Sequence, residues 1–283
     1  MNKNAKQVHD EACAAGEKSY IDPITGYVVF TRLGLLARSK CCGCACRHCP
    51  FQHEKVPILQ RAKKIQQAAY LTNENLVDNK KSSDVVFWSG GKDSFLALRA
   101  MQKALREKPR VGEEGEDRTQ IILLTTFDAT NRQVAHQEIS IADIVQQVSA
   151  LGLPLVGVPL HSGLSYVDQI ELGLKIIPAI ERIAFGDLHL EHIKEWRTRN
   201  LSPIAESLGA KLYYPLWNVS YEDLLDDLAL SAVPCIICAA PDEALTGKIL
   251  GHKFNRNFIK TLPESVDKFG ENGEFHTVMK TWE

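Results

Sequence analysis

The chain has 283 residues, 45% hydrophobic and 24% charged, a balance that excludes a disordered or fibrous protein and suits one large domain with an appendage. Its 33 basic and 35 acidic residues leave a formal charge of -2, so no global positive field draws it to nucleic acid or anionic lipid. No run approaches the roughly 20 apolar residues of a membrane helix, and Met1-Asn2-Lys3-Asn4 lacks the apolar core of a secretory signal; the cytoplasm is the expected location.

Taken in chain order, residues 1–82 read as a cysteine-rich N-terminal module and linker. Five of the eight cysteines fall within Cys41-Cys42-Gly43-Cys44-Ala45-Cys46-Arg47-His48-Cys49. A disulfide framework would spread its cysteines through a short secreted chain, whereas this clustering points to a metal. Zn²⁺ would draw four ligands from Cys41, Cys42, Cys44, Cys46, Cys49, His48 and His53. Cys42-x3-Cys46-x2-Cys49 is also the spacing with which radical S-adenosylmethionine enzymes hold a [4Fe–4S] cluster. Those enzymes need a barrel of repeated β-α units after the motif, which the following pattern does not offer, although an iron–sulfur cluster without that chemistry stays open. The plain alternative is a set of reduced thiols packed in a small core. A charged helix is expected over 57–71, from the spacing of Ile58, Leu59, Ala62, Ile65 and Ala69. The polar stretch Asp78-Asn79-Lys80-Lys81-Ser82-Ser83 then marks a boundary near Ser82.

The remainder, 83–283, alternates between strands and helices. Strands are predicted at 84–88, 120–127, 154–160, 182–186, 211–217 and 233–239, and helices at 94–106, 134–151, 166–177, 191–208 and 221–230. Apolar β-α alternation of this kind predicts an α/β fold with a doubly wound parallel sheet covered by helices on both faces. The site is then expected at the carboxyl ends of the strands. The charged segment 110–118 reads as a solvated loop.

Ser89-Gly90-Gly91-Lys92-Asp93-Ser94 lies between the first of these strands and its helix, where such a fold presents backbone N–H groups to an anion. Gly90 and Gly91 let the main chain approach phosphate, Ser89 and Ser94 add hydroxyl donors, Lys92 adds a charge, and Asp93 caps the helix or helps to hold Mg²⁺. The count excludes the kinase-type P-loop, which places four residues between its first glycine and Gly-Lys-[Ser/Thr]. A glycine turn with a capping Ser or Asp is the bland alternative.

This hexapeptide resembles the signature of the PP-loop ATP pyrophosphatases, the adenine-nucleotide α-hydrolase-like enzymes that cleave ATP between the α and β phosphates. Phe185-Gly186-Asp187, Pro215-Leu216-Trp217 and Gly270-Glu271-Asn272-Gly273-Glu274-Phe275-His276-Thr277 resemble, in order and rough position, the diphthine–ammonia ligase branch over about 83–283. The resemblance implies an ATP-dependent, AMP- and pyrophosphate-forming C–N ligase that adenylates a carboxylate and transfers ammonia to it. It implies ATP and Mg²⁺ as cofactors, with Ser89, Gly90, Gly91, Lys92, Asp93 and Ser94 on the pyrophosphate. Thr126, Phe127 and Asp128 would edge the adenosine, and Glu271 and Glu274 would lie in the acceptor or ammonia region. Lys92, Asp93, Glu271 and Glu274 are the catalytic candidates. Asn272-Gly273 on its own is a type I′ hairpin signal that would leave both glutamates solvated. Asp187 reads equally as a Mg²⁺ ligand or as the cap of the next helix. The implied partners are ATP, ammonia and an acceptor that is a modified protein side chain or, as a weaker alternative, tRNA. No membrane is involved, and the sequence leaves a homodimer open.

The cysteine segment resembles short Cys-Cys-Gly-x-x-Cys-Arg-His-Cys-Pro stretches of small domains of unknown function, here over about 20–51. Cys44 is variable in that pattern, which leaves Cys41, Cys42, Cys46 and Cys49 as the preferred ligands of Zn²⁺ or an Fe–S cluster. Cys235 and Cys238 invite the alternative of a tRNA sulfurtransferase. Residues three apart on a strand point to opposite faces, however, and core packing is the expectation. A nucleotide-binding adaptor without enzymatic activity is the remaining alternative.

Overall fold

The computed structural model describes residues 5–23, 25–107, 119–134, 137, 139–241 and 247–282; the expected loop at 110–118 lies outside them. The chain opens with helix α1 (Ala5–Ala14), an antiparallel pair β1 (Ser19–Ile21) and β2 (Val28–Phe30), and a short α2 (Arg32–Leu36). Thr31 starts α2 by accepting the Gly34 N–H. Residues 37–57, the cysteine segment included, form turns and loops.

The helix expected over 57–71 is shorter, α3 (Ile58–Lys64), and the chain then extends into β3 (Ala69–Thr72). All four residues of β3 are buried, and the strand pairs antiparallel with β8 (Leu155–Leu160). Residues before Ser82 therefore contribute an edge strand to the central sheet. Arg61, buried on α3, holds the connection by donating to the Val56 and Tyr70 carbonyls and to Glu74.

The central sheet has six strands in the order β10-β9-β4-β5-β8-β3. Its parallel members are β4 (Ser82–Phe87), β5 (Thr119–Asp128), β8, β9 (Ile180–Ala184) and β10 (Lys211–Tyr213). Chain order thus runs outward from β4 in one direction and then returns to build the other, placing the switch point between β4 and β9. Alternate residues face opposite layers, as the pleat requires. Val86, Leu123 and Leu155 join one core with α4 (Lys92–Glu107), α5 (Ile141–Leu151) and α8 (Tyr221–Ser231). Val85, Ile122 and Val156 join the other with α6 (Tyr166–Leu174) and α7 (Glu191–Ser207). The expected α/β sheet with helices on both faces is present, parallel in five of its strands, and the antiparallel edge strand β3 departs from the all-parallel expectation. A buried ion pair crosses its middle, where Arg182 donates Nε to Asp84 Oδ1 at 2.8 Å.

Two further expectations need correction. The helix expected over 134–151 begins only at Ile141; before it, β6 (Gln133–Val134) and β7 (Ile139–Ser140) form a small antiparallel pair. Ser140 accepts the Asp143 N–H and caps the helix, which stops it from continuing backwards. The last expected strand, β11 (Cys235–Ala239), does not join the parallel sheet but pairs antiparallel with β12 (His276–Met279). The described residues between Ile259 and His276 form turns and no strand, so the hairpin that is the plain alternative for Asn272-Gly273 does not form. A four-residue helix, α9 (Arg256–Ile259), lies between β11 and β12.

Candidate functional site

The loop Ser89–Ser94 leaves the carboxyl end of β4 at the switch point, and α4 begins at Lys92. Gly90 has φ +83°, and a Cβ there would lie 2.5 Å from Ile144 Cδ1. At Gly91 a Cβ would come within 3.0 Å of the Thr277 carbonyl. The glycines therefore admit α5 and the C-terminal segment against the loop. Gln147, buried on α5, accepts from Trp88 Nε1 at 2.7 Å and donates to the carbonyls of Gly90 at 2.9 Å and Met279 at 2.7 Å. From β12, the Met279 N–H donates to the Gly90 carbonyl at 2.9 Å. Thr277 Oγ1 accepts the Lys92 N–H at 3.0 Å across a separation of 185 residues. Ser94 Oγ donates to the Gly91 carbonyl and Ser89 Oγ to Ser94 Oγ. On the far side Gly186, after β9, packs on the start of α4; a Cβ would meet the Asp93 carbonyl carbon and oxygen at 2.7 Å.

Lys92 is buried, with Nζ donating to Asp93 Oδ2 at 2.9 Å and the rings of Phe254, Phe269 and Phe275 at 5.6, 5.4 and 5.9 Å. Burial opposes its charge, yet Asp93, with smaller contributions from Glu271 and Cys235, outweighs burial and holds the amine above its ordinary pKa. Asp93 Oδ1 is buried without a hydrogen-bond partner among the described residues, as is Gln137 Oε1, which would lie 3.3 Å from a Cβ on Gly91.

Glu271 is brought into this field. Burial first, and then the Asp93, Asp267 and Asp187 carboxylates, push its pKa up to about 8 against the pull of Lys92. Glu274 has a different setting. Its carboxylate accepts the N–H groups of Asp267 at 2.9 Å and Asn272 at 3.1 Å, and the Asn272 side-chain amide at 3.2 Å, tying the turn. Asp267 accepts from Tyr221 Oη, which stacks on Phe269 with centroids 4.3 Å apart. Asp187 is neither a helix cap nor a bare carboxylate. Arg197 grips it at 2.6 and 3.0 Å, and Leu190 occupies the cap position of α7.

Asp128 sits apart, exposed at the end of β5. The N–H groups of Thr130 and Asn131 donate to its Oδ1 at 2.7 and 2.8 Å and hold its pKa down. Phe127 is buried in the core. Cys235 is buried near Lys92, and burial pushes its thiol up to about 12. Cys238 alternates to the other face of β11 and donates to the Gln137 carbonyl. Gln147, Phe254 and Phe269 gave no sequence signal, because each meets the loop only through long-range contacts.

The four preferred cysteines line one small cleft with Leu35, Arg38, Lys40, Pro50 and Phe51. Their thiols stand as two pairs, Cys42–Cys46 at 3.3 Å and Cys41–Cys49 at 3.9 Å. All are free thiols. As these side chains stand, no group of three or more His, Cys, Asp or Glu among the described residues is arranged to hold a metal. Cys44 is exposed. His48 bonds Tyr20 Oη at 2.8 Å and stacks on His9 at 3.8 Å; burial, then His9 and Arg47, lowers its pKa to about 3. His53 Nε2 is bonded to the Cys46 carbonyl at 3.1 Å.

The fold and this geometry define an α/β protein with a six-stranded, mostly parallel sheet and a loop of polar residues at its switch point. Among known families, residues 8–55 match a family of unknown function (DUF5522). The matched stretch contains most of α1, the β1–β2 pair, α2 and the cysteine segment, and it ends before the phosphate-loop region. No helix among the described residues is long and apolar enough to cross a membrane.

Proposed function

We propose that the chain is an ATP-dependent, AMP- and pyrophosphate-forming ligase that activates a carboxyl group and transfers ammonia to it, a PP-loop enzyme of the kind the diphthine–ammonia ligase branch exemplifies. The observation that carries this reading is the meeting of two distant segments: Thr277 bonds the loop that bears Lys92 and Asp93, and Glu271 of the same C-terminal segment lies within the electrostatic field of those two charges. Anion binding at Ser89–Ser94 is supported by a helix N-terminus at a switch point and by a buried, charged lysine. Mg²⁺ fits the loop because Asp93 keeps one buried oxygen without a partner and a hard cation takes such oxygens. Bound there, the ion would neutralise phosphate charge. Lys92 would release part of its hold on Asp93 and turn to the departing pyrophosphate.

Glu271 is protonated at neutral pH in the ligand-free chain, because its pKa is pushed up to about 8. A cation beside it, ammonium included, lowers that value and lets the carboxylate take the proton that ammonium must lose before it attacks. The acceptor is a carboxyl on a modified protein side chain.

The test is the product pair. Incubated with Mg²⁺–ATP, ammonium and a cell extract that supplies the acceptor, the full chain should release AMP and pyrophosphate in equal amounts. ADP with phosphate would overturn the reading. Lys92→Ala removes a charge-assisted phosphate contact and should lower kcat/KM by about 10- to 150-fold, the equivalent of roughly 1.5–3 kcal/mol. Unchanged turnover would remove the loop from the chemistry.

A further inference from the structure

The cysteine cleft carries an inference independent of the ligase reading. Residues 41–50 form no helix or strand, so the hydrogen-bond ladders of regular structure do not hold them. Yet the backbone turns sharply within and just after this stretch, with φ +76° at Gly43, +53° at Ala45, +47° at Gln52 and +58° at His53. A residue other than glycine pays about 1–2 kcal/mol for this left-handed conformation, and it persists where the surroundings over-determine it.

A turn aims a backbone N–H at sulfur: Gly43 donates to Cys41 Sγ at 3.4 Å. Such a donor stabilises a thiolate more than a thiol, because the hydrogen bond is stronger when its acceptor carries charge.

The spacing of the sulfurs completes the case. Four thiolates around Zn²⁺ at about 2.3 Å form a tetrahedron with edges of about 3.8 Å. The two existing pairs, at 3.3 and 3.9 Å, are near two such edges, and both line the same cleft. A cubane iron–sulfur cluster, with one thiolate on each iron, holds its sulfurs much farther apart. Two thiol pairs gathered at one cleft supply the four soft donors such a centre needs, and a metal gives the reason for gathering them. The imidazoles of His48 and His53 are engaged elsewhere, and Arg38 and Lys40 stand at the cleft to offset negative charge.

We propose that Cys41, Cys42, Cys46 and Cys49 bind one Zn²⁺ as a four-thiolate structural centre that pins the loop of the N-terminal module. Binding takes up Zn²⁺, releases four thiol protons and leaves a centre of charge -2, with no change of oxidation state. Metal binding would draw the two pairs together around one ion.

The full chain, expressed in zinc-supplemented medium and purified anaerobically under reducing conditions, should carry one zinc per chain. Exchange with Co²⁺ should give intense thiolate-to-cobalt charge-transfer absorption with tetrahedral d–d bands. Cys46→Ser and Cys49→Ser should lose the metal, whereas Cys44→Ser should keep it. Folded protein with substoichiometric zinc would overturn the proposal, as would iron with inorganic sulfide, two disulfides in place of metal, or a Cys44→Ser variant as metal-poor as Cys46→Ser. Should the serine variants fail to fold, the unmodified chain answers the question. A chelator should open the cysteine loop to protease, and added Zn²⁺ should close it again; a cleavage pattern indifferent to both would count against the centre. A loss of ATP chemistry in Lys92→Ala leaves these readouts untouched.

Discussion

The two candidate sites are assembled in opposite ways. Around the cysteines the contacts are mostly local: Cys42 meets Cys46, Cys41 meets Cys49, and His53 holds the Cys46 carbonyl. The phosphate-loop region is built from afar, with Gln147 on α5, Thr277 and Met279 on β12, and Gly186 after β9 all fixing a few residues beyond β4. A local site is disrupted chiefly by changes close to it in sequence. A site assembled across the fold can be disrupted from any of the segments that meet there.

The largest expected effect follows from that difference. Gly186 touches no charged group of the loop, yet a side chain there would collide with the Asp93 carbonyl at 2.7 Å and the Ser94 nitrogen at 3.0 Å. Neither backbone can yield without displacing the start of α4. Gly186→Val should therefore weaken Mg²⁺–ATP binding, measured by calorimetry, by about 10²-fold or more, the scale of an ångström-sized misplacement. Metal content in the cysteine module should stay at the parental level. Parental ATP affinity in this variant would break the comparison, since the loop would then not depend on its distant supports.

The same contrast explains what could be read from sequence. The cysteine cluster and the loop hexapeptide are contiguous, so spacing alone exposes them. The helix starts were also legible in principle, because α5, α6 and α8 each begin with a serine accepting the N–H of an aspartate three residues on. Ser140 carries that signal within the stretch expected to be helical from 134. β3 and β11 were harder. The apolar run 69–71 continues the spacing of α3, and 233–239 has the composition of a buried parallel strand. Only the pairing partner, β8 or β12, decides where each strand lies. Glu271 and Glu274, three residues apart in one motif, could not be told apart until the fold placed one beside Asp93 and turned the other back on its own loop.

Those two glutamates sharpen the comparison further. An exposed glutamate titrates near about 4.3, while Glu271 is pushed up to about 8. Between these values the folded chain keeps a proton that the unfolded chain has released. Stability from this group is therefore full at low pH, falls as pH rises through the window, and levels off above about 8. The slope is at most about 1.4 kcal/mol per pH unit. Glu271→Gln should remove it, so that parent and variant unfold alike near pH 4 and the variant is the more stable near pH 8 to 9, as urea titrations would show. Amide formation should fall by about 10²-fold while ATP affinity stays within a few-fold. A parent and variant with the same pH dependence of stability would remove Glu271 from the loop's electrostatic field.

The smallest expected effect belongs to Glu274. Its carboxylate accepts from Asp267, from the Asn272 main chain and from the Asn272 side chain, so it closes a turn and has no recorded contact with Lys92 or Asp93. Glu274→Gln keeps the shape but presents an NH₂ where an oxygen had accepted, setting donor against donor at one of these contacts. The loss of one charge-assisted bond should cost about 1–2 kcal/mol of stability and lower Tm by a few degrees. The turn carries Glu271 at its start, which makes the prediction discriminating. If the two carboxylates act as a pair on ammonia, the Glu274 variant should lose amide formation as severely as Glu271→Gln. If Glu274 serves the turn, amide formation should stay within several-fold of the parent and the deficit should shrink on cooling, as the weakened turn regains its order. A loss equal to that of Glu271→Gln, in protein with an unchanged melting curve, would place Glu274 in the chemistry and make the division of labour within this motif wrong.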